Sequence, residues 1–381
     1  KFVPETSEKE VWERLEYFLE KLLPIAEENN VSLAAHPNDP PLPIMRRTAR
    51  ILKNPSEYIK LIDINNTTIP KLTSFSIILF NKFFVLSNAT KLPLFNIPIL
   101  SRGGGTSLAG QTVTHGIVID FSKYMNNITH INQEEHWVTT QPGIIIDQLN
   151  NSLKHLGVHF APDPSTSNRA TVGGAIGNNS CGSHSILWGK TVDNIISLQT
   201  MLSDGSDVNF GITDIKSINN IDKVNDLENA IYSWIKKINH SKSKYIIENY
   251  PKISRRVSGY NLDEITDKNH LNLAGLLVGS EGTLVTVTEA KVKVVPTPKH
   301  KGLAIAHFSS LSQSMEATVE IVDLGPSAVE LVDKSILRPA KSNLGYSRLM
   351  NFVTGDPEAI LIIEVSSNDE LELNSKLSII T

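Results

Sequence analysis

The strongest constraint on this chain is a set of glycine-rich segments that each adjoin a short apolar run. The first follows the apolar run Ile97 to Leu100 and contains Arg102, Gly103, Gly104, Gly105, Thr106, Ser107 and Leu108. Successive glycines let neighbouring backbone N–H groups converge without obstruction by a Cβ atom, and the two hydroxyls add donors. We interpret this segment as a loop that holds a pyrophosphate. Taken alone, it is equally compatible with a plain turn, because it matches neither the Walker pattern nor a Gly-x-Gly-x-x-Gly fingerprint followed by a long helix.

A second segment starts about 60 residues later and consists almost entirely of small residues. Backbone in such a segment is able to approach a flat ligand closely, while its hydroxyl and amide side chains offer polar contacts. Its candidate binding residues are Pro162, Asp163, Ser165, Thr166, Gly173, Gly174, Gly177, Asn178, Asn179, Cys181 and Gly182.

A third segment carries Glu281 and Gly282 in a glycine turn. The apolar run Leu276 to Val278 before it predicts one strand, and the alternating residues Val285 to Val295 after it predict another, which includes Val287. A strand, a turn and a second strand place main-chain donors at one edge. We therefore expect the third segment to join the same ligand site.

In this order and spacing, the three segments resemble the FAD-binding domain of the vanillyl-alcohol oxidase / p-cresol methylhydroxylase (PCMH) superfamily, in its glycolate oxidase and D-lactate dehydrogenase branch. The match covers roughly Leu94 to Pro298; the alternative is a set of unrelated turns. The resemblance implies that the first segment binds the FAD pyrophosphate and that the second lies along the flavin. The third would close on the cofactor, with Val287 near the isoalloxazine.

The resemblance also bears on how the flavin is held. Relatives with covalent FAD attach it through a histidine in the first segment, and Thr106 stands at the matching position here. We therefore expect non-covalent FAD. Cys181 is the single cysteine of the chain and has no base partner in sequence, so packing is its expected role rather than a flavin linkage.

A further resemblance concerns the substrate. Residues from Arg255 to Asp263 resemble an Arg-x-x-Gly-Tyr-Asn-Leu segment of the large iron–sulfur-linked members of this branch. A guanidinium at Arg256 would pair with a substrate carboxylate, although a salt bridge that fixes the loop explains the residue equally well. The implied reaction is hydride transfer from a small 2-hydroxy acid to flavin N5, with electrons passing to an iron–sulfur or quinone partner. No catalytic base is visible in the sequence.

The N-terminal part is of a different kind. Tyr17 to Ile64 resembles an internal piece of mannonate dehydratase, a metal-dependent TIM barrel in which the histidine matching His36 helps to bind the metal. Asn38 replaces the usual aspartate, and the later ligands are absent. His36 is therefore either a vestigial ligand or a surface residue in a proline-fixed loop. No acidic residue lies between Asp63 and Asp120, which indicates a composition break near residue 65.

These observations predict an α+β chain in three parts. Residues 1–64 form a TIM-barrel-like fragment and residues 65–298 a PCMH-type FAD-binding domain of two α+β lobes. Residues 299–381 begin a ferredoxin-like cap, the C-terminal substrate domain, and we expect it to be truncated. Within the cap, Leu303 to Ala306 and Ala359 to Glu364 are predicted strands, and Ser312 to Leu324 is a predicted helix.

Composition narrows the function classes. A net charge of -4 leaves no basic excess for nucleic acid, and one cysteine fits a reducing compartment. We expect no transmembrane segment and a cytoplasmic location, at most peripheral to a membrane. The leading function is a flavin-dependent 2-hydroxy-acid dehydrogenase or oxidase. The alternatives are a catalytically incomplete FAD-binding module and a metal-dependent mannonate dehydratase.

Overall fold

The computed structural model describes residues 7–17, 99–107, 111–112, 117–218 and 226–380, with isolated short strands between residues 33 and 77. Residues 8–17 are helical, and strand Leu33–Ala35 pairs in parallel with Phe75–Ile77. His36 and Leu108 lie outside the described residues. The barrel-like interpretation of residues 1–64 stays a prediction.

Residues 99–298 contain the cofactor region. Its strands are β1 (Ile99–Arg102), β2 (Ile117–Asp120), β3 (Ile128–Asn132), β4 (Trp137–Thr140), β5 (Val158–His159), β6 (Ile195–Met201), β7 (Asp207–Phe210), β8 (Ile212–Asp214), β9 (His270–Asn272), β10 (Thr286–Lys293) and β11 (Val295–Pro296). Its helices are α1 (Ile146–Leu153), α2 (Val172–Asn178), α3 (Ser185–Trp188), α4 (Ile215–Ile218), α5 (Asp226–Asn249) and α6 (Leu273–Leu277).

The described strands of this region form four hydrogen-bonded sets. Strand β8 pairs with β9, and β5 pairs with β11. Strands β1 and β2 pair in parallel, with Arg102 opposite Asp120. Five strands form an antiparallel sheet in the order β7-β6-β10-β4-β3. Burial alternates along β10, so one face of this sheet is covered, as period-2 side chains require. Helix α1 contributes Ile146, Leu149 and Leu153 to the same core.

One predicted strand is wrong. The apolar run Leu276 to Val278 does not form a strand, because Leu273–Leu277 is a short helix. The Asn272 side chain caps this helix by accepting from the Gly275 N–H at 3.0 Å. A short, fully buried apolar run has no periodicity that separates a strand from a helix, so the capping residue decided the conformation.

The C-terminal part has its own sheet. Its elements are β12 (His300–Phe308), α7 (Leu311–Asp323), β13 (Ala328–Asp333), α8 (Lys334–Ser342), β14 (Ala359–Ser367) and α9 (Glu370–Ile380). The strands are antiparallel in the order β12-β14-β13. Leu361 and Ile363 pack towards α7 and α9, whereas Ile360 packs towards α8. The predicted strands and helix of this part are confirmed, and so is the α+β class.

The core of the five-stranded sheet generates a stability prediction. Leu198 in β6 is fully buried beside Phe210, so Leu198→Ala removes apolar contacts and leaves a cavity. We expect a loss of about 2–5 kcal/mol, measured as a shift of the urea midpoint. Ile212 is 68% exposed, and Ile212→Ala should change stability by no more than about 0.5 kcal/mol. Equal effects of the two substitutions would contradict this assignment of the core.

Candidate functional site

The first glycine segment rests on the N-terminal end of α2. Thr171 caps this helix by accepting from the Gly174 N–H at 3.1 Å. A Cβ on Gly103 would lie 2.1 Å from the Thr171 hydroxyl oxygen, and a Cβ on Gly104 would lie 2.2 Å from the Arg169 carbonyl oxygen. Only glycine therefore permits this approach, and the loop sequence is explained by packing as well as by ligand binding.

The third segment completes the C-terminal end of the same helix. The Gly279 N–H donates to the Ile176 carbonyl at 2.8 Å, and the Glu281 N–H donates to the Gly177 carbonyl at 2.9 Å. The last carbonyls of a helix lack intrahelical donors, so these bonds satisfy groups that would otherwise need water. Glu281 adopts a left-handed φ of 52°, which is strained for a residue other than glycine. Strain of this kind concentrates at functional sites.

All three segments line one cavity of about 470 Å³, a size typical of ligand sites. The predicted residues that the structure places on its wall are Arg102, Gly103, Gly104, Gly105, Thr106, Ser107, Thr166, Gly173, Gly174, Gly177, Asn178, Asn179, Cys181, Glu281, Gly282 and Val287. The wall does not include Pro162, Asp163, Ser165 or Gly182. The glycine segments that the sequence singled out thus line one cavity, and binding of FAD by their residues stays a prediction.

Other wall residues escaped the sequence interpretation. Phe121 and Pro142 come from outside the glycine segments, and Gln111 and Thr171 adjoin them. Gln111 and Thr171 could have been found from the sequence, since each is polar and lies at the border of a glycine-rich run. No local pattern marks Phe121 or Pro142, which reach the cavity only through the packing of β2 and β4.

Three buried polar atoms test whether FAD fits this cavity. Ser101 Oγ, Gln111 Oε1 and Asn179 Nδ2 belong to wall residues, and none has a hydrogen-bond partner in the structure. The Asn179 side chain is fully buried, and its other atom, Oδ1, already accepts from the Val192 N–H at 3.1 Å. Unpaired buried polar atoms are costly, so a ligand with both donors and acceptors is the expected partner. FAD offers both along its length.

The first segment also presents unused donors. In the described part of the chain, the backbone N–H groups of Gly103, Gly104 and Gly105 donate to no carbonyl. Arg102 lies beneath them, and its guanidinium pairs with the Asp120 carboxylate at 2.8 Å. This ion pair joins β1 to β2 at the point where the loop leaves the sheet. The free N–H groups beside a fixed cation fit the phosphates of FAD.

Glu281 is the acidic side chain of the wall. Burial raises the pKa of its carboxyl group, and a hydrogen bond with Gln111 partly opposes that rise. A carboxyl group that is easier to protonate repels a phosphate less. Its position on the cavity wall is therefore compatible with an anionic ligand.

Arg256 does not lie on the cavity wall, although the adjacent Val257 does. Its guanidinium pairs with the Asp263 carboxylate at 2.6 Å and lies 4.6 Å from the centre of the Tyr250 ring. These contacts hold the loop in place, which is the alternative to substrate binding that the sequence left open for Arg256. Substrate binding by Arg256 stays a prediction.

Two other features concern metals and membranes. Within the described ranges, no cluster of histidine, cysteine and acidic side chains has the arrangement of a metal site. Within the same residues, no helix is long and apolar enough to cross a bilayer.

Comparison with known protein families agrees with this geometry. Residues 88–211 match the FAD binding domain family, and residues 297–381 match the C-terminal domain of FAD linked oxidases. Residues 3–76 match the D-mannonate dehydratase family, which agrees with the N-terminal resemblance.

Curated relatives share the same region. A D-2-hydroxyglutarate dehydrogenase of Pseudomonas putida is 34% identical over 286 residues, which are 74% of this chain and 28% of that protein. The D-2-hydroxyglutarate dehydrogenase of Escherichia coli is 33% identical over 73% of this chain and 28% of its own length. The glycolate oxidase subunit GlcD of Bacillus subtilis is 30% identical over 63% of this chain and 41% of its own length.

A solved structure shares the fold. An alkyldihydroxyacetonephosphate synthase superposes with a TM-score of 0.56 at 17% identity, over 84% of this chain and 53% of that one.

Gly177 offers a test of cofactor binding that leaves the packing intact. A Cβ at this helical position would meet protein no closer than 3.9 Å, at Glu281 Cα, while the residue lines the cavity. Alanine also favours the helix over glycine. We expect Gly177→Ala to fold normally and to bind FAD about tenfold more weakly, measured as flavin absorbance per chain during dialysis.

Gly211 supplies the matched control. A Cβ there would make ordinary contacts at 3.4 Å, and the residue does not line the cavity. Gly211→Ala should retain FAD. Unchanged affinity in Gly177→Ala would show that the cofactor does not pass this face of α2.

The chain spans about 28% of the length of the first curated relatives that it matches. The three glycine segments, the cavity that they line and the two family matches agree with one another. Residues 88–211 therefore carry an FAD-binding domain of the PCMH type, and residues 297–381 carry a C-terminal domain of the FAD linked oxidases.

Proposed function

We propose that the protein oxidises a small 2-hydroxy acid with non-covalent FAD. The observation that carries this proposal is the cavity of about 470 Å³ between three glycine segments, with unpaired buried atoms on its wall. The relatives that share this region are named as D-2-hydroxyglutarate dehydrogenases, D-lactate dehydrogenases and a glycolate oxidase subunit. Their common substrate class is a 2-hydroxy acid. Bound FAD supplies a hydride acceptor at flavin N5.

The residues of this chain bind the cofactor and orient it. The amides of Gly103 to Gly105 receive the phosphates, and the Arg102–Asp120 ion pair holds the end of β1 on which that loop is built. Ser101, Gln111 and Asn179 each have one free polar atom for the cofactor. Val287 lies on β10 with its side chain at the cavity wall, where an apolar group excludes water from the flavin ring. A dry site of this kind protects a reduced flavin from side reactions.

The electron acceptor belongs to the same proposal. An iron–sulfur centre on another part of the protein or on a partner, or a quinone, would take up the electrons. We also propose a cytoplasmic location, at most peripheral to a membrane, which a chain with a single cysteine supports.

The direct test is anaerobic reduction of the flavin by substrate. We expect the D enantiomers of 2-hydroxyglutarate or lactate, or achiral glycolate, to bleach the visible flavin bands, while the L enantiomers do not. Acid precipitation should release the flavin into the supernatant because no covalent bond holds it. A protein that binds FAD and is reduced by dithionite but by none of these acids would be an FAD-binding module without this activity.

Arg256 allows a sharper test of the substrate site. Arg256→Met should raise the 2-hydroxy-acid concentration needed for half-maximal reduction by about tenfold or more, because a bidentate charged contact is lost. Asp263→Asn disturbs the same ion pair but leaves the guanidinium in place. If both variants change flavin reduction equally, Arg256 acts only by fixing its loop.

A further inference from the structure

His184 joins the FAD-binding region to the C-terminal sheet through two carboxylates. Its Nδ1 lies 2.5 Å from an Asp163 carboxylate oxygen in the second glycine segment. Its Nε2 lies 2.9 Å from a Glu364 carboxylate oxygen on β14. An imidazole that contacts an acceptor at each nitrogen satisfies both only when both nitrogens carry protons. The geometry therefore requires the imidazolium form.

The surroundings of His184 explain why this charge is stable. Lys301 on β12 lies 3.0 Å from the same Glu364 oxygen, so two cations face two carboxylates. The Trp188 ring stacks on His184 with 5.4 Å between ring centres, and the His159 ring meets Trp188 edge-on with 4.8 Å between ring centres. The side chain of His184 is only 15% exposed. Solvent therefore screens the His184–Glu364 contact weakly, whereas Lys301, which is 47% exposed, is screened more.

A further charged group near His184 is Arg255. Its guanidinium donates to the Gly182 carbonyl oxygen at 2.5 Å and to the Ser185 hydroxyl at 3.2 Å, on the two sides of His184 in sequence. Arg255 thus holds the backbone that carries His184. It binds neither of the carboxylates that hold the imidazole.

The cluster adjoins the cofactor cavity. Ser180 and Cys181 line the cavity, and the next residue, Gly182, packs so closely on Asp163 that a Cβ would lie 2.1 Å from its carbonyl oxygen. Helix α3, which follows His184, contacts β13 of the C-terminal sheet. The two parts of the chain have separate apolar cores. This polar cluster therefore contributes directly to the way the C-terminal sheet sits beside the cavity.

We propose that protonated His184 is a positioning residue that fastens the C-terminal domain to the second glycine segment, and that this contact loosens when His184 loses its proton. Deprotonation leaves one imidazole nitrogen without a hydrogen to donate. One of the two carboxylates then faces a lone pair at hydrogen-bond distance and is repelled. The proposal concerns contacts within this chain and does not rest on the proposed reaction.

The pKa values agree in direction with this geometry. The hydrogen bond that His184 donates to Asp163, followed by the one that it donates to Glu364, raises the pKa of His184 to about 9, against the opposing effect of burial. The His184 bond is also the largest cause that lowers the pKa of Glu364. Burial, with Lys301 and His184 nearby, lowers the pKa of His159, so this neighbour is neutral at pH 7.

The sign of the pH dependence follows from these shifts. The folded pKa of His184 exceeds the unfolded value of about 6.5, so the folded protein holds an extra proton between these values. The stabilisation is fully present below about pH 6.5 and is lost as the pH rises through about 9. The pKa of Glu364 is lowered, so this carboxyl group gives no step in the window.

Thermal unfolding of the full chain between pH 6 and pH 10, followed by calorimetry, tests the proposal. We expect the transition of the C-terminal part to move to lower temperature as the pH rises towards 9. Protease cleavage of the connection at residues 297–299 should become about tenfold faster or more over the same range, since hydrogen bonds to charged groups are lost. Neither the calorimetry nor the protease cleavage measures flavin content.

Variants complete the test. His184→Gln should abolish the pH step, and Glu364→Gln should shrink it while preserving the shape of the side chain. Their effects should be non-additive in the double variant. Glu358→Gln is the control, because Glu358 pairs with Lys334 inside the C-terminal part. The proposal is overturned if wild type shows no pH step, or if His184→Gln keeps the step.

Discussion

The packing of two glycine segments against the ends of helix α2 supports the rest of the cofactor site. The first segment touches the helix at Thr171 and the third donates to its last carbonyls. A helix of two turns is marginal by itself, so α2 depends on these contacts for its own stability. The same contacts bring both segments to one cavity. Helix formation and site formation are therefore parts of one event.

Glycine has two separate roles in this arrangement. At Gly103 and Gly104 the missing Cβ allows backbone to meet backbone or a capping side chain. At Gly177 the missing Cβ leaves open space at the cavity wall. The first role belongs to the fold and the second to the ligand. The sequence does not separate the two roles, because the difference lies in which atoms surround the glycine in the folded chain.

Polar groups at this site are divided between those that the protein satisfies and those left for a ligand. Asn179 donates nothing through Nδ2, although its other amide atom holds the Val192 N–H. Asp163, by contrast, was expected at the cofactor and instead contacts His184. Both residues lie in the second segment, which thus contacts the cavity on one side and the C-terminal sheet on the other. The division between a binding role and an interdomain role depends on side-chain direction alone.

The sequence by itself determined the α+β class, the grouping of the glycine segments that line one cavity, and the strands and helix of the C-terminal part. These features depend on local backbone freedom and on hydrophobic periodicity, which a sequence displays directly. Tertiary structure decided that Leu273–Leu277 is a helix, that Phe121 and Pro142 reach the cavity, and that His184 bridges two carboxylates 180 and 21 residues away. Contacts between residues so distant depend on how the two sheets are placed, and no local pattern encodes that placement.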